Sequence, residues 1–135
     1  MADLLAAHFS NIDADLVVAV PLHPSRLRQR EMNHALLLAR DLARILHLPL
    51  SVDDLVRTRA TTPQVGLSKA ARAENVAGAF HATRLEAIRG IRILLLDDVY
   101  TTGATLREGA KALMTAGASG VTVSAFARVV PWEVG

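Results

Sequence analysis

Asp97 and Asp98 stand directly after the apolar run Ile93-Leu94-Leu95-Leu96 and directly before Val99-Tyr100-Thr101-Thr102-Gly103-Ala104-Thr105. Two carboxylates at the end of a strand can reach one ligand, although adjacent side chains within a strand point to opposite faces. The loop after them carries hydroxyls and a glycine. Gly103 lets backbone come close to a ligand and tolerates positive φ. Successive N–H groups there can form a nest for an anion at the positive end of the next helix. The chemistry offered is capture of a phosphate beside two acids. The plain alternative is a solvated turn or a helix cap by Thr101 or Thr102, and a cap can coexist with phosphate binding. No Gly-Lys-Ser/Thr loop and no Gly-x-Gly-x-x-Gly after a strand is present, which argues against a nucleoside triphosphatase or a dinucleotide-dependent dehydrogenase.

A second group of candidates follows Val20-Pro21-Leu22-His23. Arg26 and Arg30 share a face at helical spacing and Arg28 points elsewhere. They suit either an anion or a solvated basic face. The stretch from Arg57 to Asn75, with Arg59, Lys69 and Arg72, has the length and composition of either a mobile lid or a passive surface loop. The histidines are scattered and show no metal-ligand spacing.

These residues need a frame. Residues 1–14 read as a short amphipathic helix or a loose arm, and residues 15–20 as a first strand broken by Pro21 and Pro24. Ala35, Leu38, Leu42, Ile45 and Leu46 predict a helix over about residues 25–47, ended by Pro49. Leu50 to Thr58 reads as a second, more polar strand, residues 59–68 as a loop, and Ser68 as the cap of a short helix reaching about Asn75. A strand over 79–83, a helical turn over 85–89 closed by Gly90, the signature strand over 91–97, a helix over 103–116 followed by Gly117, and a strand over 121–129 complete the chain. The apolar signature strand is buried on both faces, as in a parallel sheet. The alternation of strand and helix predicts a right-handed α/β fold with a parallel sheet flanked by helices, whose ligands sit at the carboxyl ends of the strands.

The 135 residues fit one domain and are half apolar, hence globular. No apolar run approaches the roughly 18 residues that would span a bilayer. The N-terminus has no signal-peptide pattern, and there is no cysteine for a disulfide or a thiolate metal site. A cytoplasmic location and no membrane partner are expected. The positive charge is nearly all arginine, the better fork for phosphate oxygens, with Lys69 and Lys111 the only lysines. Genome composition explains that bias equally well. Five aromatic residues and no basic tail speak against a stacking platform for nucleic acid.

The stretch 93–105 resembles the PRPP-binding motif of type I phosphoribosyltransferases: four apolar residues, two acids, two variable residues, then Thr-Thr-Gly-x-Thr. The resemblance implies a Rossmann-like type I phosphoribosyltransferase fold over residues 1–135 with a minimal hood. It implies that Asp97 and Asp98, the catalytic candidates, hold the ribose hydroxyls. Val99, Tyr100, Thr101, Thr102, Gly103, Ala104 and Thr105 would complete the PRPP site around the 5′-phosphate. Pro21, Leu22, His23 and Arg26 would lie at the pyrophosphate, joined on loop closure by Arg59, Lys69 and Arg72. Mg²⁺ would be held through the ligand near the acid pair. Thr101 stands where the 6-oxopurine salvage enzymes carry an acid, which argues against that subclass.

Outside the signature the chain is similar to the ComF/GntX-type proteins, the competence-associated branch. The matching stretches are residues 20–30 with Asn33, residues 55–59 with Gln64 and Leu67, and residues 72–80 with Asn75 and Val76. Such proteins usually begin with a four-cysteine zinc module and carry Arg-Gly where this chain reads Arg30-Glu31. The implied activity is transfer of a phosphoribosyl group from PRPP to a nitrogenous base with release of pyrophosphate. The alternative is a non-catalytic PRPP-, nucleotide- or DNA-binding module in competence, with DNA-uptake or helicase partners and a homodimer as expected associations. Residues 1–14 and 130–135, including Trp132, are what the sequence leaves for a hood over the acceptor base.

Overall fold

The computed structural model describes residues 7, 9, 11–22, 33–58, 68, 70, 77–100 and 103–128. The elements run β1 (Leu16–Ala19), α1 (His34–Leu46), β2 (Leu50–Ser51), β3 (Leu55–Arg57), β4 (Phe80–Ala82), α2 (Leu85–Ile88), β5 (Arg92–Tyr100), α3 (Ala104–Thr115) and β6 (Gly120–Arg128). Among the described residues a parallel four-stranded sheet has the order β2-β1-β5-β6. The expected parallel α/β architecture is present.

The sequence of β5 explains its central place. Ile93, Leu94, Leu95 and Leu96 are all buried, and alternation sends them to two cores. Ile93 and Leu95 join Val18 and Val20 under α3 and α2, through Leu106, Leu113 and Ile88. Leu94 and Leu96 join Val17 and Ala19 under α1. Each such side chain contributes about 1.5–3 kcal/mol by burial, and a polar residue at any of these positions would break a layer.

The face of α1 keeps the expected Ala35 and Leu42 and differs from expectation at the other positions. Its buried stripe is Ala35, Ala39, Leu42 and Ala43, while Leu38 and Ile45 are only half-buried. Small residues bring the helix axis close to the sheet, and the larger ones flank the contact. Gly109 does the same for α3: a Cβ there would stand 3.0 Å from Leu95 Cδ2 and 3.6 Å from Leu55 Cδ2. α1 begins at His34 with Asn33 as its cap, and residues 25–32 of the expected helix lie outside the described residues. Asn33 Oδ1 accepts from the Leu36 N–H at 3.0 Å, which caps the first turn.

The single strand expected over residues 50–58 is two strands in different sheets. β2 extends the parallel sheet, and β3 pairs antiparallel with β4 in a two-stranded sheet that the sequence reading did not foresee. The break is chemical. Ser51 Oγ donates to Asp54 Oδ2 at 2.5 Å and accepts from the Asp54 N–H at 3.2 Å, which bends the chain between them. Arg84 Nε donates to Asp54 Oδ1 at 2.6 Å and compensates the buried carboxylate. The new pair packs on the α3 face through Leu55 and Phe80.

At the amino end of the sheet, Arg92 grips Asp15 with Nε and Nη2 at 3.0 and 2.8 Å and also pairs with Asp13, which fixes the register of β1 against β5. Of residues 1–14, Phe9 is buried and Ile12 and Ala14 pack beside it against the α1 face. That described part belongs to the core, not to a hood. Residues 130–135 lie outside the described residues.

Candidate functional site

Strand order decides where the site is. From β1 the chain crosses through α1 to β2 on one side, and from β5 it crosses through α3 to β6 on the other. The connections diverge between β1 and β5, so a crevice opens at the carboxyl ends of those two strands, the place where open α/β sheets take ligands. Val20, Pro21 and Leu22 lie at one lip, and Asp97 and Asp98 at the other.

β1 ends at Ala19, opposite Leu96, and the Val20 N–H donates to the Leu96 carbonyl at 2.8 Å. Among the described residues, β5 has a paired strand on the β6 side only from Asp97 onward. The strand was expected to end at Asp97 but continues to Tyr100, because β6 goes on pairing with it as far as Arg128. The acid pair therefore reaches the crevice by outrunning β1, not by ending its own strand.

The two carboxyls meet. The Asp98 N–H donates to Asp97 Oδ1 at 2.9 Å. Burial pushes the Asp97 carboxyl up to about 7, and its hydrogen bond with the Asp98 side chain adds to the rise. The Asp98 N–H and the charge of Arg57 pull the other way. Asp97 has the same strand parity as Ile93 and Leu95, which face the β3–β4 pair, and this is the side from which Arg57 acts. Arg57 is 7% exposed, with its guanidinium 5.0 Å from the centre of the Phe80 ring.

Beyond β5, Gly103 has φ 79° and opens α3. The positive end of the α3 dipole thus faces the carboxyl edge of the sheet. Gly103 and Ala104 are buried and Thr105 is half-buried. Val99 and Tyr100 belong to β5. Thr101 and Thr102 lie outside the described residues, as do His23, Arg26, Arg59, Lys69 and Arg72. Pro21 and Leu22 are half-buried at the end of β1. The connection that carries Arg59, Lys69 and Arg72 leaves and returns at one neck, where the Thr58 N–H donates to the Ala79 carbonyl at 2.8 Å. The structure thus brings Asp97, Asp98, Gly103, Ala104, Thr105, Pro21 and Leu22 to one edge.

Arg57 was not among the sequence candidates. The signal was there: Leu55 and Arg57 share one face of β3, so a buried Leu55 predicts a buried arginine. Among the described residues no three His, Cys, Asp or Glu side chains gather as a metal site. Two carboxylates at an open crevice suit a hard cation that takes its remaining oxygens from a ligand and water.

The chain matches the family described as phosphoribosyl transferase domain over residues 32–129. It is 38% identical over 117 residues to the DNA utilization protein YhgH of Escherichia coli K12, which covers 86% of this chain and 50% of that protein. It is 36% identical over 115 residues to competence protein F of Haemophilus influenzae, covering 84% of this chain and 50% of the other. The chain spans about half the length of the curated relatives it matches. Among solved structures, the purine phosphoribosyltransferase from Pyrococcus horikoshii superposes with a TM-score of 0.60 at 20% identity, over 96% of this chain and 75% of that one, a likeness of fold. Among the described residues no helix is long and apolar enough to cross a membrane.

Proposed function

The chain belongs to the phosphoribosyl transferase domain family, in the competence F-type branch, and on that premise we propose that it binds PRPP and transfers the phosphoribosyl group to a nitrogenous base. The observation that carries the reading is the position of Asp97 and Asp98, just past the end of β1 at the switch point and two residues of strand ahead of the turn into α3. Asp97 and Asp98 accept hydrogen bonds from the ribose hydroxyls. The turn from Thr101 to Thr105 and the amino end of α3 receive the 5′-phosphate. Pyrophosphate lies toward Pro21 and Leu22.

A base nitrogen attacks the anomeric carbon, the bond from that carbon to the pyrophosphate oxygen breaks, and pyrophosphate leaves with the electron pair. The base nitrogen gives its proton to solvent. The protein's part is to orient the sugar and to hold developing charge with fixed groups. Mg²⁺, held beside Asp97 and Asp98 through ligand oxygens and water, would supply neutralisation of the pyrophosphate charge.

The names of the relatives favour a second reading: a module that binds PRPP, a nucleotide or DNA in competence without turnover. Cytoplasmic location and pairing of two copies fit either. One assay separates them. Pyrophosphate release is followed from PRPP and Mg²⁺ against a panel of purine and pyrimidine bases. Release with one base supports the transferase. PRPP binding without release for any base leaves the module, and no binding at millimolar PRPP removes both.

A further inference from the structure

Val20 has both backbone groups engaged at the site. Its N–H donates to the Leu96 carbonyl at 2.8 Å, one residue before Asp97. Its carbonyl accepts from Asn33 Nδ2 at 3.3 Å. Asn33 Oδ1 accepts from the Leu36 N–H at 3.0 Å. Three hydrogen bonds thus run without a gap from β5, beside the acid pair, through the first residue of the β1 lip, into the first turn of α1.

Capping alone needs only the oxygen. Serine, threonine or aspartate would supply it as well. The amide nitrogen has a separate task, because it ties the start of α1 to the end of β1, so that the connection over residues 21–32 leaves and returns at one fixed point. We infer that Asn33 is a positioning residue, which fixes the spacing between the β1–α1 lip and the Asp97–Asp98 lip so that one ligand spanning both is held as a unit. The inference rests on the PRPP reading, in which pyrophosphate lies at the first lip and ribose at the second. A ligand anchored at two places gains from their fixed separation, and a fragment anchored at one place does not.

Asn33→Ser separates the two tasks. The serine hydroxyl keeps the cap without adding charge, but it is one atom too short to take the place of Nδ2 at the Val20 carbonyl. PRPP and ribose 5-phosphate are titrated by calorimetry in the presence of Mg²⁺, and circular dichroism follows the helix. The variant is expected to keep wild-type helicity and to bind ribose 5-phosphate within about twofold of wild type. PRPP is expected to bind about tenfold more weakly, the scale of one lost hydrogen bond. Unchanged PRPP affinity overturns the inference, as does equal weakening of both ligands. Should the serine variant unfold, Asn33→Thr supplies the cap oxygen without charge and is likewise too short to replace Nδ2 at the Val20 carbonyl, and the ratio of the two affinities is read in the same way. Wild-type protein that binds PRPP no better than ribose 5-phosphate overturns the phosphoribosyl reading itself, and this inference with it.

Discussion

Asp97→Asn should make the protein more stable and unable to hold its ligand. The reasoning starts from the carboxyl that burial pushes from 3.8 to about 7. A group with a raised folded value favours the folded state when protonated. Its contribution is fully present below the unfolded value, about pH 4, and is lost as pH rises to about 7. Each unit is worth 1.36 kcal/mol, so the folded state gives up at most about 4 kcal/mol by pH 8. Loss of the opposing charge from Arg57 trims the gain of the variant, which leaves about 2–4 kcal/mol. For a chain of this size that is a rise in melting midpoint on the order of 10 °C. The asparagine oxygen still accepts from the Asp98 N–H, so the local backbone is kept. The assay is thermal melting at pH 8 and pH 4.5 in EDTA, beside PRPP titration. The gain should be large at pH 8 and shrink to about 1 kcal/mol or less at pH 4.5, with PRPP binding lost. A variant equally stabilised at both pH values, or destabilised at pH 8, refutes the argument that this site holds a carboxylate at the expense of stability.

Three further outcomes follow from named contacts. Asp98→Asn should weaken PRPP binding about tenfold or more by calorimetry, the scale of a hydrogen bond to a charged acceptor, with helicity by circular dichroism unchanged. Arg57→Met keeps the stem over Phe80 but removes the charge that lowers Asp97. The pH midpoint at which PRPP binding appears should therefore move upward, since the ionised acid is the better acceptor of ribose hydroxyls; an unmoved midpoint would mean that Arg57 does not act on Asp97. Gly109→Val should cost about 1–3 kcal/mol in urea unfolding, because even a Cβ there meets Leu95 Cδ2 at 3.0 Å.

The parallel sheet was legible because β5 is apolar on both faces and its acids and glycine turn follow in order. The lip formed by Val20, Pro21 and Leu22 was legible from the prolines. Four things were not. The bend at Ser51–Asp54 comes from a side-chain bond between residues three apart and from Arg84, thirty residues away, which strand periodicity does not register. Ala39 and Ala43 of α1 were overlooked because hydrophobic spacing favours Leu38 and Ile45, whereas the closest packing selects small residues. Arg57 escaped because arginine is scored as a surface residue, although it shares a strand face with the buried Leu55. Asn33 entered the sequence reading only through the family resemblance; its cap of α1 and its hold on Val20 needed coordinates.

The most direct test is calorimetric titration of PRPP with Mg²⁺ into the wild-type protein and into an Asp97→Asn/Asp98→Asn double variant. Saturable binding to the wild type and none to the folded double variant is the predicted result. Equal binding to both, or no heat from the wild type at millimolar PRPP, contradicts a phosphoribosyl site at the tip of β5.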